Sequence, residues 1–217
     1  MTFLETILNI FFPVNCLLCK KGSDYLCLDC NKKFTLAQKE KLNWVFPLYD
    51  YQDVNVRQII HFLKFKNKKK LAQILAQNLY QKILKSLENT TFLNENSKIL
   101  LIPIPISQKR KKERGYNQTE LLCFYLIKNN FENLNFIYLK NNLKKIKEKK
   151  HQTQIRNRAE RLLNVKDTFQ INNPEKIKNK KIILIDDVMT TGATLTEAKK
   201  ILKEAGAQEI IAFTLAH

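Results

Sequence analysis

The spacing of apolar residues changes twice along this chain. In "VRQIIHFLKFKNKKKLAQILAQNLYQKIL", residues 56–84, apolar positions recur every three or four residues on both sides of a lysine-rich break near 66–70. That spacing predicts two amphipathic helices. His61 falls in the first and is expected in a core or interface. From residue 98 the pattern shifts to short unbroken apolar runs. "KILLIPIPI" (98–106), "NFIYLK" (135–140), "KKIILIDDV" and "EIIAFTLAH" predict buried strands, with "TELLCFYLIK" and "TLTEAKKILKEAGA" as helices between them. The last helix should stop at Gly206. Strands that alternate with helices call for a mainly parallel sheet covered by helices, an α/β fold.

The first half is less regular. "MTFLETILNIFFP" places Phe3, Leu4, Ile7, Leu8 and Phe11 on one helical face, which predicts a short docked helix. No segment reaches the roughly 20 apolar residues that span a bilayer. The start also lacks a basic region and a small-residue cleavage site. A cytoplasmic location is expected, with peripheral inner-membrane attachment through the first helix as the lesser alternative. "NWVFPLYDY" alternates like a strand and puts Trp44 in the core. The expected division is residues 1–45 as an N-terminal helix and metal-binding unit and 46–217 as the α/β domain.

Four of the five cysteines lie in "CLLCKKGSDYLCLDC" as Cys16, Cys19, Cys27 and Cys30. Two C-x2-C pairs with seven residues between them can close a tetrahedral thiolate shell, and Gly22 would allow the turn between the pairs. Structural Zn2+ is the expected occupant, with an iron–sulfur cluster or a degenerate site as alternatives. Cys123, within "ELLCFYLI", reads as a small core residue.

Composition adds one fact. With 38 basic and 20 acidic residues the formal charge is +18, which attracts nucleic acid, phosphorylated small molecules or anionic lipid without choosing among them. "SQKRKKERGYNQ" is expected as a highly basic loop, where Lys109, Lys111, Lys112, Arg114 and Tyr116 mix cations with an aromatic as single-strand binders do.

The chemistry concentrates in "IILIDDVMTTGAT". The strand brings Asp186 and Asp187 to the carboxyl edge of the sheet, where open α/β sheets bind ligands. Met189, Thr190, Thr191, Gly192, Ala193 and Thr194 then lead into a helix N-terminus, whose unpaired N–H groups suit a phosphate. Paired acids can accept a sugar's hydroxyls and help hold a divalent ion. Together these groups have the chemistry of a ribose 5-phosphate clamp.

This segment resembles the phosphoribosyl pyrophosphate (PRPP) signature of type I phosphoribosyltransferases. The resemblance implies that Asp186 and Asp187 bind the ribose hydroxyls, that the Thr-Thr-Gly loop binds the 5-phosphate, and that Mg2+ accompanies PRPP. The four-cysteine pair, "LIPIPIS", "RKKERGYNQTELL", "HQTQIRNRAERLLNV" and "DDVMTTGAT", in that order, resemble the ComF (ComFC) family over nearly the whole chain. The resemblance implies a type I phosphoribosyltransferase-like domain with an N-terminal zinc finger. It further implies a role in natural transformation, the handling of incoming single-stranded DNA, and a relation to a competence helicase-like ATPase.

Ile106 and Ser107 match the family's pyrophosphate loop. Arg114 to Gln118 match its Arg-Gly-Phe-Asn-Gln with Tyr116 in place of phenylalanine, and Arg114 suits a pyrophosphate or a DNA phosphate. In the next segment the family's Thr-x-x-Gln becomes His151 and Gln154, and Arg158, Arg161 and Asn164 are spaced for one helical face. Three functions follow: a DNA-handling protein that retains PRPP binding, an active transferase of phosphoribose to an unknown acceptor, or an interaction platform whose zinc unit docks a partner ATPase and whose clamp is vestigial.

Overall fold

The computed structural model describes residues 14–22, 24–38, 42–65, 69–88, 90–93, 98–129, 134–146 and 168–217. The expected N-terminal helix and the segment with His151, Gln154, Arg158, Arg161 and Asn164 lie outside the described residues.

Five strands form one parallel sheet: β1 (Val45–Tyr49), β2 (Ile99–Pro103), β3 (Phe136–Tyr138), β6 (Lys181–Val188) and β7 (Glu209–Ala216). Their order across the sheet is β1-β7-β6-β2-β3. The apolar runs belong to the inner strands because both faces are covered, which leaves no polar face to alternate with. On β6, Ile183 and Ile185 face one core while Ile182 and Leu184 face the other.

The first core is roofed by α2 (Val54–Phe65), α3 (Lys69–Leu87) and α5 (Gln118–Lys128). α2 turns Val56, Ile59, Ile60 and Leu63 inward. The second core lies under α6 (Ala193–Glu204), which contributes Leu195, Ala198 and Leu202. Leu143 and Phe169 of an antiparallel hairpin, β4 (Leu143–Lys145) with β5 (Phe169–Ile171), pack into it as well.

The two inner strands define the geometry. From β2 the chain crosses through α5 on the first face to reach β3, and from β6 it crosses through α6 on the second face to reach β7. β2 and β6 are hydrogen-bonded neighbours, so their connections diverge and leave a crevice at their carboxyl ends. This is the topological switch point at which open α/β sheets hold ligands.

Several elements depart from the sequence reading. Residues expected as a basic loop form a helix, α4 (Gln108–Arg114). Ser107 caps it by accepting from the Arg110 N–H at 3.3 Å, and Gly115 ends it at φ +78°, a conformation that favours glycine. The β4–β5 hairpin was not legible in the sequence, since each strand is three residues long and largely polar. His61 is exposed rather than buried, on the side of α2 away from its apolar stripe. Trp44 is half-buried just before β1, under the Lys199 ammonium at 4.0 Å. In the cysteine turn the left-handed residue is Lys20, φ +65°, and not Gly22. Cys123 is fully buried, and that burial pushes its thiol well above its ordinary pKa, as suits a core residue.

The cysteine segment is tied into the main core. Leu26 and Phe34 join the first hydrophobic cluster, and Phe34 meets Tyr49 edge-on at 5.1 Å. Asn31, in the short helix α1 (Leu28–Lys32), shares a polar knot with α3 and β1. Asn78 Nδ2 donates to Asn31 Oδ1 at 2.9 Å and to Tyr49 Oη at 2.8 Å, while Tyr49 donates to Asn31 Oδ1 at 3.2 Å. Burial pushes the Tyr49 phenol up to about 12, with the Asn78 bond opposing, so it stays a donor at any working pH. Asn78→Ala should cost about 1–3 kcal/mol by removing one hydrogen bond each from buried Tyr49 and half-buried Asn31. Thermal unfolding of the variant checks this, and an unchanged midpoint would show that the knot is not holding the cysteine segment to the sheet.

Candidate functional site

At the switch point β6 delivers two acids to opposite faces. Asp187 continues the register of Ile183 and Ile185 and points beneath α2 and α5; Asp186 points the other way. Asp187 is 6% exposed. Its Oδ2 accepts from Gln118 Nε2 at 2.5 Å and pairs with Lys64 Nζ at 3.2 Å. A buried carboxylate needs such partners to stay charged.

Gln118 is itself held, since its Oε1 accepts from Arg114 Nη1 at 3.0 Å. The Arg114 guanidinium lies 4.9 Å from the centre of the Phe65 ring, and its Nε is buried without a hydrogen-bond partner. Burial lowers the Arg114 pKa, and Asp187 opposes the shift. Lys64, Arg114, Gln118 and Asp187 are therefore one connected polar group.

The corner between α4 and α5 is fixed to the sheet by hydrogen bonds. Asn117 Nδ2 and Thr119 Oγ1 donate to the Ile104 carbonyl at 3.2 and 2.7 Å, and Asn117 Oδ1 accepts from the Thr119 N–H at 3.1 Å to cap α5. The Tyr116 hydroxyl donates to the Leu63 carbonyl at the end of α2. A phenylalanine here would lack that bond, so the tyrosine adds an anchor between the corner and the helix that carries Lys64.

Asp186 is half-buried, and its pKa is pushed up to about 8, first by burial and then by the charge of Asp187. Lys64 and Lys145 of β4 act in the opposite direction. Its Oδ1 accepts from the Asp187 N–H at 2.8 Å.

The loop after β6 wraps into α6. Met189 is buried and its N–H donates to the Ala216 carbonyl at 3.0 Å, which anchors the loop to β7. Thr190 is exposed, Thr191 and Thr194 are half-buried, and Ala193 is buried and donates its N–H to Thr191 Oγ1 at 3.4 Å. Gly192 caps α6 at φ +74°, and an added Cβ would meet Leu42 Cδ1 at 2.6 Å. The backbone angle favours glycine, and a larger residue would also have to push the Leu42 methyl aside.

Among the predicted residues, Asp186, Asp187, Arg114 and the loop 189–194 come together around the crevice. Half-buried Ile106 and Ser107 lie between β2 and α4. Lys109 and Lys112 are exposed on α4, whereas Lys111 is paired with Glu120 at 3.4 Å and half-buried. Tyr116 is half-buried with its hydroxyl engaged. Lys64 was missed by sequence reasoning and carries no local signal there. Gln118 stands within the Arg-Gly-Tyr-Asn-Gln stretch, and only the tertiary contact shows what it holds.

Away from the crevice, the ligand atoms of Cys16, Cys19, Cys27 and Cys30 all lie within 4.8 Å of one another and can hold a metal ion. Cys19 and Cys27 Sγ are 3.7 Å apart. That spacing fits the edge of a tetrahedron with metal–sulfur bonds of about 2.3 Å, which would be roughly 3.8 Å. Turn hydrogen bonds shape the site: Lys20 N–H to Cys16 O and Cys16 N–H to Lys21 O, each 2.9 Å.

A parallel sheet with an acid pair and a Thr-Thr-Gly loop at its switch point defines a type I phosphoribosyltransferase fold. The chain belongs to the phosphoribosyl transferase domain family, whose sequence model matches residues 90–217. Within that family its relatives place it with ComF/ComFC. It is 39% identical over 129 residues to the competence protein ComFC of Streptococcus pneumoniae, covering 58% of this chain and 53% of that protein. It is 32% identical over 159 residues to the competence protein F of Haemophilus influenzae, covering 73% and 66%. It is 26% identical over 152 residues to the DNA utilization protein YhgH of Salmonella typhimurium, covering 70% and 63%. The chain thus spans about half to two thirds of the length of these relatives. No described helix is long and apolar enough to cross a membrane.

The raised pKa of Asp186 generates a pH dependence. Its folded-state value lies above its unfolded value near 4, so its contribution to stability is full below that pH and is lost as pH rises through about 8. Asp186→Asn should therefore gain stability relative to the native chain as pH goes from 5 to 8.5, by on the order of 2 kcal/mol. Denaturant titrations at the two pH values measure the difference, and a gap independent of pH would contradict the raised carboxyl.

Proposed function

We propose that this protein handles incoming single-stranded DNA during natural transformation, on a phosphoribosyltransferase fold that still binds PRPP. One observation carries the reading: the acid pair sits intact at the switch point, with Asp187 supported by Lys64 and Gln118. A vestigial site would not retain a buried charge with two dedicated partners.

In this reading Asp186 and Asp187 accept the 2′- and 3′-hydroxyls of the ribose. The backbone from Met189 to Thr194 and the threonine hydroxyls receive the 5-phosphate at the start of α6. Ile106, Ser107 and Arg114 border the pyrophosphate, whose charge the Arg114 guanidinium offsets. Mg2+ would arrive with PRPP and neutralise part of that charge, with Asp186 and Asp187 as the acids near it. The DNA backbone follows the basic face of α4, through Lys109, Lys111, Lys112 and Arg114, beside Tyr116. The names of the relatives as competence and DNA utilization proteins support this role, and the +18 charge suits it. The protein acts in the cytoplasm, with the competence helicase-like ATPase as a candidate partner and peripheral attachment to the inner membrane as the lesser alternative.

A second reading, transfer of phosphoribose to an acceptor, is favoured by the connected cations: Lys64 and Arg114 flank Asp187 where a leaving pyrophosphate would develop charge. Calorimetric titration with PRPP and Mg2+ should show binding by the native chain. The Asp186→Asn/Asp187→Asn variant should bind roughly a hundredfold more weakly, because two charge-assisted sugar contacts are lost. Equal affinity in both proteins would remove the clamp from the function. Pyrophosphate release in the same cell, with water taking the phosphoribosyl group to give ribose 5-phosphate, would favour the second reading by showing that the site can break the bond to pyrophosphate.

The four cysteines hold structural Zn2+ in this proposal. Purified protein should carry one zinc per chain, and a chelator should lower the unfolding midpoint, because the metal-bound state is the folded one. Removal of zinc with no change in the midpoint would sink its structural role.

A further inference from the structure

Helix α2 ends on the rim of the crevice with a ring that does not contribute to the core. Phe65 is 54% exposed. Two flat, polar groups meet it: the His61 imidazole, one turn back on the same outward face, lies 4.9 Å away with a tilt of 39°. The Arg114 guanidinium lies 4.9 Å from the ring on the other chain segment. Neither neighbour is aliphatic. Arg114 then runs through Gln118 to Asp187, so this row of π faces borders the acid pair directly.

We propose that Phe65, with His61 and Arg114, forms a stacking platform for a nucleobase at the mouth of the crevice. Every base has a π face, and bases stack on phenyl rings, imidazoles and guanidinium planes alike. An aliphatic partner would find polar edges here, whereas a nucleotide would find a flat ring for its base and cations for its phosphate. Exposed Lys109 and Lys112 of α4 supply further positive charge on the adjoining helix. The base comes either from a single-stranded polynucleotide or from a free mononucleotide. Phe65 and His61 precede residues 90–217, the span of the family match, so this site is built from the chain's own N-terminal half. The proposal rests on the nucleic-acid half of the proposed function and is independent of PRPP binding.

The test uses the full chain as wild type, Phe65→Ala and Phe65→Trp. Each is titrated by fluorescence anisotropy with a labelled oligothymidylate and with an abasic phosphodiester oligomer of the same length; unlabelled thymidine monophosphate is the competitor. Phe65→Ala should bind oligothymidylate roughly tenfold more weakly. Phe65→Trp should keep the wild-type affinity, and the abasic oligomer should not distinguish the three proteins. Competition by the mononucleotide that is lost in Phe65→Ala, without a change for the oligomer, also supports the platform and identifies a free nucleotide as the source.

Equal oligothymidylate affinity in wild type and Phe65→Ala, together with mononucleotide competition unchanged by the substitution, overturns the platform while leaving nucleic-acid binding intact. The same loss with the abasic oligomer overturns it too, because the ring would then act through charge placement alone. If the wild type binds neither oligothymidylate nor the mononucleotide, the nucleic-acid reading falls and the platform with it. A PRPP titration of the same samples shows separately whether the clamp survives.

Discussion

The pairing of β2 with β6 is the constraint from which the rest of this molecule follows. The two strands lie side by side, and the chain leaves them on opposite faces of the sheet, through α5 and through α6. Their carboxyl ends therefore open into a crevice that neither α5 nor α6 crosses over. That one adjacency brings three groups together: the acids of β6, the loop into α6, and the α4–α5 corner after β2. Hydrogen bonds from Asn117 and Thr119 to the Ile104 carbonyl make the arrangement rigid on the β2 side.

The crevice is completed by residues from the chain's first half. Lys64 and Phe65 at the end of α2 reach the acids and Arg114, and Tyr116 returns a bond to the Leu63 carbonyl. The cysteine segment acts at greater distance. It shares hydrophobic residues with the core and a polar knot with β1 and α3. A metal held by the four cysteines would stabilise the segment that is tied to α3 and β1, while Lys64 stands on the neighbouring α2 in the same core.

Electrostatics sets the character of the site more than the overall charge does. Two adjacent acids in a partly dry crevice repel each other, and the fold answers differently on the two faces. Asp187 receives an ammonium and an amide, while Asp186 is left with burial and its neighbour's charge and takes up a proton more readily. A ligand with sugar hydroxyls and phosphates meets one acid held by an ammonium and an amide, one acid whose pKa is raised, and a nearby guanidinium.

The strands, their helices and the acid-pair loop were legible in the sequence because each is a local pattern: unbroken apolar runs, a 3.6-residue period, and a motif of contiguous residues. The four-cysteine cluster was legible for the same reason, its spacing being short and regular. The three-residue strands of the hairpin were not, since LKK and FQI carry too little period to register. Helix α4 was hidden by its charge, which reads as a loop until Ser107 and Gly115 cap it. By itself the sequence determined the fold class, the position of the acids at a strand end and the set of four cysteines that can hold a metal. Tertiary structure alone decided the order of the strands, and with it the crevice. It also decided that Lys64, 123 residues before Asp187 in the chain (187 − 64), is the cation beside it. Contacts of that kind depend on how helices settle on a sheet, and no local spacing of residues records them.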